Sequence, residues 1–462
     1  MHYLSTRGSA PRLDFRGATL AGLASDGGLY LPERWPQLTP AALEALAGAG
    51  FIETAEAVIA PFIGDCLSAA ELRALLQAAY GRFGHAAVTP LVQLDERHWL
   101  LELFHGPTLA FKDVALQLLG GLFGHFLGPG ERLTIVGATS GDTGSAAIEA
   151  VAGRPGIRIF MLHPEGRVSE VQRRQMTTVA APNVHNVAVA GSFDDCQRLV
   201  KALFNDPAFR AEQALSAVNS INWARLVAQI VYYVYAAVRL GAPARAIAFS
   251  VPTGNFGDVF AGYAAQRMGL PVSALVVATN VNDILARALR AGDYSVGEVT
   301  PTATPSMDIQ VSSNFERLLF DLKGRDGAAL AEAMAGFEAT GRLRLTEAER
   351  AEAARSFRAE RVDEAAMMQA LQWAQAECGQ ILDPHTAVGL AAARRRAGEL
   401  QGPLVTLATA HPAKFPDAVE RATGIRPQLP RRLAHLFSRA ERYERLPADL
   451  EALKHHIRAQ PA

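Results

Sequence analysis

Leu133-Thr134-Ile135-Val136, then Thr139-Ser140-Gly141-Asp142-Thr143-Gly144, then Ser145 to Val151: an apolar strand, a polar turn bearing glycine, and a helix of small residues. The same grammar recurs along the chain. Ile157 to Leu162 and Val184 to Val189 read as strands, the second leading into a helix over Phe193 to Phe204. Ala246 to Val251 is a strand that ends in Thr253-Gly254-Asn255-Phe256-Gly257-Asp258 and a helix to about Met268. Val272 to Ala278 is followed by a helix over Asp283 to Arg290, and Leu404 to Ala408 by a helix beginning over Lys414 to Ala422. Apolar strands alternating with helices predict an α/β fold with parallel sheets covered on both faces. Ligands in such folds sit beyond the carboxyl ends of the strands, which is where the polar turns fall.

The flanks read differently. Residues 1 to about 90 form a mixed unit, with Gly27-Gly28-Leu29-Tyr30-Leu31-Pro32 turning into a short strand and helical patterns in 40–49, 53–63 and 68–80. Residues 325–378 are rich in Ala, Glu and Arg and predict a helical surface or interface layer. Leu226 to Leu240 contains Gln229 and Arg239 and is short for a bilayer span, so a buried helix is expected. The first residues lack the apolar core of a signal peptide. A length of 462 residues suits two or three domains. The formal charge of -1 argues against a general nucleic-acid or anionic-membrane binder. Cys66, Cys196 and Cys378 lie far apart without a C-x-x-C pair. No zinc ribbon or disulfide framework is expected, no metal site is evident, and a reducing cytoplasm is the expected setting.

Of the 45 Lys+Arg residues only five are lysines, at 112, 201, 323, 414 and 454. Lys112 stands in an apolar stretch led by Gly106 and Pro107, His105-Gly106-Pro107-Thr108-Leu109-Ala110-Phe111-Lys112-Asp113. Arginine stays protonated, whereas a desolvated lysine loses its proton and attacks a carbonyl. A lysine snorkelling from a helix start is the plainer reading of Lys112 alone. Lys414, in Thr409-Ala410-His411-Pro412-Ala413-Lys414, is the rival, set where a helix begins. Thr253 to Asp258 and Thr139 to Gly144 are each read either as an anion cradle at a helix N-terminus or as plain capping turns. Asn219-Ser220-Ile221-Asn222-Trp223-Ala224-Arg225 sets a guanidinium beside hydroxyl and amide donors, as an oxyanion site does, or as a helix cap with a structural arginine does. Neither glycine loop matches the P-loop or the dinucleotide fingerprint, and no H-E-x-x-H or G-x-S-x-G occurs.

Taken together, and in this order, the motifs have a family likeness. Ser5-Thr6-Arg7-Gly8, Gly22 to Tyr30, Glu102 to Asp113, Ser140 to Gly144, Asn219 to Asn222, Val251 to Asp258, Met307-Asp308-Ile309 with Ser313 to Arg317, and Thr409 to Phe415 span almost the whole chain. The sequence resembles threonine synthases of the longer type found in bacteria and fungi. The resemblance implies the tryptophan-synthase-β fold (fold type II): two open twisted, mostly parallel sheets flanked by helices, plus an N-terminal α/β unit. It implies an N-terminal unit over 1–95, a large cofactor domain over 96–130 and 215–462 with a helical insertion near 325–378, and a small domain over 131–214. It also implies pyridoxal 5'-phosphate as cofactor. Lys112 would carry it, Gly254, Asn255, Phe256, Gly257 and Asp258 would hold its phosphate, and Thr409 would face its ring nitrogen. Thr139, Ser140, Asp142 and Thr143 would lie beside the ring and substrate, and Ser220 and Arg225 would bind the substrate phosphate. Shorter relatives have Asn where this chain has Asp142, so the role of Asp142 is open. The implied reaction turns O-phospho-L-homoserine and water into L-threonine and phosphate. A phospholyase releasing 2-oxobutyrate and a non-catalytic phosphometabolite binder are the alternatives. A monomer or homodimer is expected.

Overall fold

Two parallel sheets carry the fold, in a computed structural model that describes residues 1–216 and 218–460. The larger has six strands, in spatial order Phe357–Arg361, Val272–Thr279, Ile247–Pro252, Leu404–Ala408, His98–Glu102 and Leu91–Gln93. All neighbours run parallel except the last pair. The smaller has five parallel strands, Glu444–Pro447, Val184–Ala190, Ile157–Pro164, Leu133–Ala138 and Leu215–Ser216.

The helix Trp223–Arg239 binds the parts together. Asn222 caps it by accepting from the Ala224 N–H, and residues 223–238 are buried on every face. A helix apolar all round is an interior element, and this one agrees with the sequence expectation. Trp223 packs against Tyr3, Trp35 and Phe62 of the N-terminal unit, with ring centroids 5.8 to 6.3 Å apart. Arg317, fully buried, extends the same seam: it donates to the carbonyls of Tyr30 and Ile221 and to Asn314 Oδ1. Burial holds its guanidinium below the usual arginine range, at about 9.

The expected ranges need three corrections. Leu91–Gln93 belongs to the large sheet, where it closes one edge antiparallel to His98–Glu102, and not to the N-terminal unit. The segment 325–378 is not purely a helical layer, because Phe357–Arg361 forms the other edge of the large sheet. Its sequence, Phe-Arg-Ala-Glu-Arg, alternates buried and exposed positions in a way suited to an edge. Finally, the range 215–462 does not stay with the large sheet. Leu215–Ser216 and Glu444–Pro447 are the two edges of the small sheet, and the helix Leu450–Ala459 packs on Phe193–Phe204 beside it. The C-terminal segment therefore crosses back to the small domain; residues 217, 461 and 462 of that range lie outside the described residues.

Candidate active site

The segment that carries Lys112 is fixed from both ends. The Asp113 carboxylate accepts from the Thr108 N–H and hydroxyl, both at 2.8 Å. Gly106 lies so close to Asp113 that a Cβ there would come within 2.4 Å of its carboxylate oxygen, which explains the glycine. Leu109 takes a left-handed backbone, φ 64°, and the next residues pair with the segment after Leu404–Ala408. Phe111 N–H donates to Thr409 O and His411 N–H to Leu109 O. Lys112 thus opens the helix Lys112–Phe126 directly beside Thr409. The Thr409 N–H donates in turn to the Thr386 hydroxyl, which donates to buried Asp383.

Lys112 Nζ stands 3.7 Å from Asp142 Oδ2, outside hydrogen-bond range, and 4.9 Å from the centroid of the Phe111 ring. Burial is the main reason its amine sits below the usual lysine range; Asp142 opposes that shift, and the positive charges of Lys414 and Arg225 add to it. Burial, with a smaller push from Glu149, raises Asp113 to about 6 against the opposing pull of Thr108 and Lys414. Asp142 is the reverse case: burial would raise it, but Lys414 and Lys112 together hold it well below the ordinary carboxylate range.

The Thr139–Gly144 turn departs from expectation in two ways. Its helix starts at Asp142, three residues before Ser145, because Gly141, φ 138°, makes the turn sharp enough to begin there. Thr139 does not offer its hydroxyl oxygen to a ligand; that oxygen accepts the N–H groups of Gly141 and Gly144, each at 2.9 Å, and shapes the loop. Ser140 and Thr143 are half-buried on either side of Gly141-Asp142. Asp142 at the first helical position places its carboxylate at the positive end of the helix.

The Thr253–Asp258 turn differs again. Phe256 adopts φ 62° and is wedged against Phe315 and Phe357, and the helix Gly257–Arg267 starts immediately after it. The outer side of the loop is braced: Asn314 donates twice to Asn255 O and Ser312 once to Gly254 O. The Asp258 carboxylate turns away from the loop, accepting from the hydroxyls of Tyr232 and Tyr233. Burial raises it to about 6 despite those donors. Only the backbone of Asp258 can face an anion in the loop. Ser220 reaches this site, its Cβ 3.8 Å from where a Gly257 Cβ would stand.

Arg225 is buried, with Nη1 donating to Val218 O and Nε without a partner among the described residues. Desolvation lowers it to about 10, and no carboxylate offsets this. A buried guanidinium lacking a carboxylate among the described residues suits a phosphate. The unpartnered Arg225 Nε, the loop at Gly254–Gly257, the Lys112 amine and Thr409 fit pyridoxal 5'-phosphate and a second phosphate. The residues missed from the sequence are Gln172, which donates to Asp142 Oδ1 at 2.8 Å, Thr386 with Asp383, and the position of Lys414. Lys414 is not at the start of an α-helix but in the turn Pro412–Lys414, fully buried, with Nζ 2.8 Å from Asp142 Oδ1 and 2.7 Å from Thr108 O.

A family model described as pyridoxal-phosphate dependent enzyme matches residues 83–410. Models for the threonine synthase N terminus and C-terminal region match 2–80 and 386–457. The threonine synthase of Pseudomonas aeruginosa is 54% identical over 97% of this chain and 96% of its own. The solved structure of the PLP-bound threonine synthase from Brucella melitensis superposes with a TM-score of 0.97 at 52% identity, covering 100% of both chains. That of the yeast enzyme does so with a TM-score of 0.94 at 40% identity, over 99% of this chain and 98% of that one. The fold is fold type II, and the chain is a pyridoxal-phosphate-dependent lyase. Within that class the chain belongs to the threonine synthase family, and its activity is threonine synthesis with pyridoxal 5'-phosphate as cofactor. No helix among the described residues is long and apolar enough to cross a membrane.

Proposed function

We propose that the substrate is O-phospho-L-homoserine and that its phosphate is received by Arg225 and Ser220. The observation that carries this reading is the buried Arg225 guanidinium, which has no carboxylate partner and stands near enough to Lys112 to depress its amine. Lys112 would hold the cofactor, the backbone of Gly254 to Asp258 would hold its phosphate, and Thr409 would face its ring nitrogen. When bound, the cofactor supplies an electron sink for the amino acid attached to it. Once the substrate amine has taken its place, Lys112 is free as a base of lowered proton affinity. It removes the proton at the substrate Cα, passes that proton on, and then removes one at Cβ. Arg225 and Ser220 neutralise the γ-phosphate as it leaves; one removed proton returns at Cγ and the other at Cα, while water adds its hydroxyl at Cβ and its proton leaves with the phosphate. Ser140 and Thr143 offer hydroxyls to the substrate carboxylate. Asp142, being ionised, accepts hydrogen bonds only, so it orients amines and amides and cannot donate to an oxygen of the cofactor ring. Thr409, a neutral partner, would supply no charge to hold a proton on the ring nitrogen.

The test is a product assay. Purified protein given O-phospho-L-homoserine should release phosphate and threonine in equal amounts; predominant 2-oxobutyrate would contradict the synthase reading. The three cysteines are free, which supports a reducing, cytoplasmic setting. The protein works as a monomer or homodimer on this reading.

A further inference from the structure

We propose that Lys414 is a positioning residue that takes up the charge of Asp142 and so lets Lys112 shed its proton. This rests on the reading of Lys112 as the reactive amine.

Two lysines flank one carboxylate at unequal distances. Lys414 Nζ is 2.8 Å from Asp142 Oδ1, a charge-assisted hydrogen bond, whereas Lys112 Nζ is 3.7 Å from Asp142 Oδ2, an ion pair without one. Gln172 donates to the same Oδ1 at 2.8 Å. Lys414 is locked: its own segment is a tight turn, its side chain is fully buried, and its second contact is Thr108 O at 2.7 Å. Thr108 O also receives Gln175, and Thr108 in turn is hooked to Asp113. Lysine is almost never fully buried without a partner. Here the burial serves a neighbour.

The charges facing Lys112 come from every element around it. Asp142 lies on Asp142–Val151, Lys414 on Pro412–Lys414, and Arg225 on Trp223–Arg239. Asp258, on Gly257–Arg267, is engaged by two tyrosines; Asp113, next on Lys112's own helix, faces Thr108. An isolated ionised Asp142 would hold a proton on Lys112. With Lys414 bound to it, the pair is neutral as seen from Lys112, and Arg225 leaves the surroundings positive. The amine is favoured over the ammonium. Desolvation and the positive charges of Lys414 and Arg225 act in that same direction.

The experiment reads Lys112 directly. Full-length protein freed of cofactor is acetylated with trace acetic anhydride across a pH series, and the Lys112 peptide is quantified by mass spectrometry. In Lys414→Met the Lys112 profile should move up by about one pH unit, an approximately tenfold loss of reactive amine at fixed pH. Asp142→Asn should move it down, and Lys414→Met combined with Asp142→Asn should return it close to the parent profile. An unmoved profile in Lys414→Met, or a double variant that titrates no higher than Asp142→Asn, overturns the proposal. Should Lys414→Met fail to fold, the comparison of the double variant with Asp142→Asn decides alone, since both avoid an unpaired buried carboxylate. The parent reading fails separately: it would be lost if Lys112→Ala still bound the cofactor covalently, whatever the profiles do.

Discussion

Thr139–Gly144 and Thr253–Asp258 are written in one grammar, a strand end, a glycine turn and a helix start, yet they present opposite things to the cleft. The first spends its threonine on its own backbone and places a charged side chain, Asp142, at the mouth of its helix. The second turns its acid away to Tyr232 and Tyr233 and leaves backbone facing inward. The difference is one of neighbours. Asp142 meets two lysines, which keep it ionised; Asp258 hydrogen-bonds to two tyrosine hydroxyls in a buried place, and burial outweighs them and the more weakly felt Lys112, pushing it up toward its neutral form. On the proposed reading, one turn manages protons through charge, and the other is open to an anion because its acid is out of the way.

The largest effect should come from the residue between the two turns. Lys112→Ala should lower turnover by roughly a thousandfold or more, because both the cofactor anchor and the base are lost; steady-state assay with excess cofactor checks this. Removing the cation assigned to the substrate phosphate should be milder and of a different kind. Arg225→Ala should raise the KM for O-phospho-L-homoserine by about 10- to 100-fold, the worth of a charge-assisted hydrogen bond. It should also weaken competitive inhibition by inorganic phosphate. A loss confined to kcat would remove Arg225 from phosphate binding.

Asp258→Asn tests the buried acid of the second turn. Its folded-state pKa of about 6 lies above the ordinary 3.8. The stabilising contribution of its proton is therefore full below about pH 4 and lost as pH rises through 6. The stability gap between parent and Asp258→Asn, measured by urea unfolding, should shift on the order of 2 to 3 kcal/mol against the parent between pH 4 and 7. Asp113 contributes a slope of the same sign to both proteins. Thr139→Val should cost the first turn about 1 to 2 kcal/mol, since two backbone N–H groups lose their acceptor. The same unfolding assay should find no change in its pH dependence.

What could be read from the chain was what is local. The strand Leu404–Ala408 and the helix Phe193–Phe204 appear with the expected bounds, because apolar runs and the Ser192–Asp195 capping box announce them. Lys112, Gly254–Asp258 and Arg225 stand in motifs continuous in sequence. The rest depends on contacts between distant positions. Lys414 reaches Thr108 across 306 residues, and nothing in its own segment distinguishes a lysine that carries a cofactor from one that neutralises a carboxylate. The hydroxyl of Thr139 looked available until the backbone wrapped around it. The strand Phe357–Arg361 is hidden because an edge strand with one wet side needs few β-branched residues, and the crossing of 444–460 to the small sheet leaves no local mark.

Two buried lysines lie close to Asp142, and only one of them can carry the cofactor. Borohydride treatment of the yellow holoenzyme, followed by peptide mapping, reads that directly. The predicted result is bleaching with the reduced cofactor fixed on Lys112 alone; label on Lys414 would contradict it.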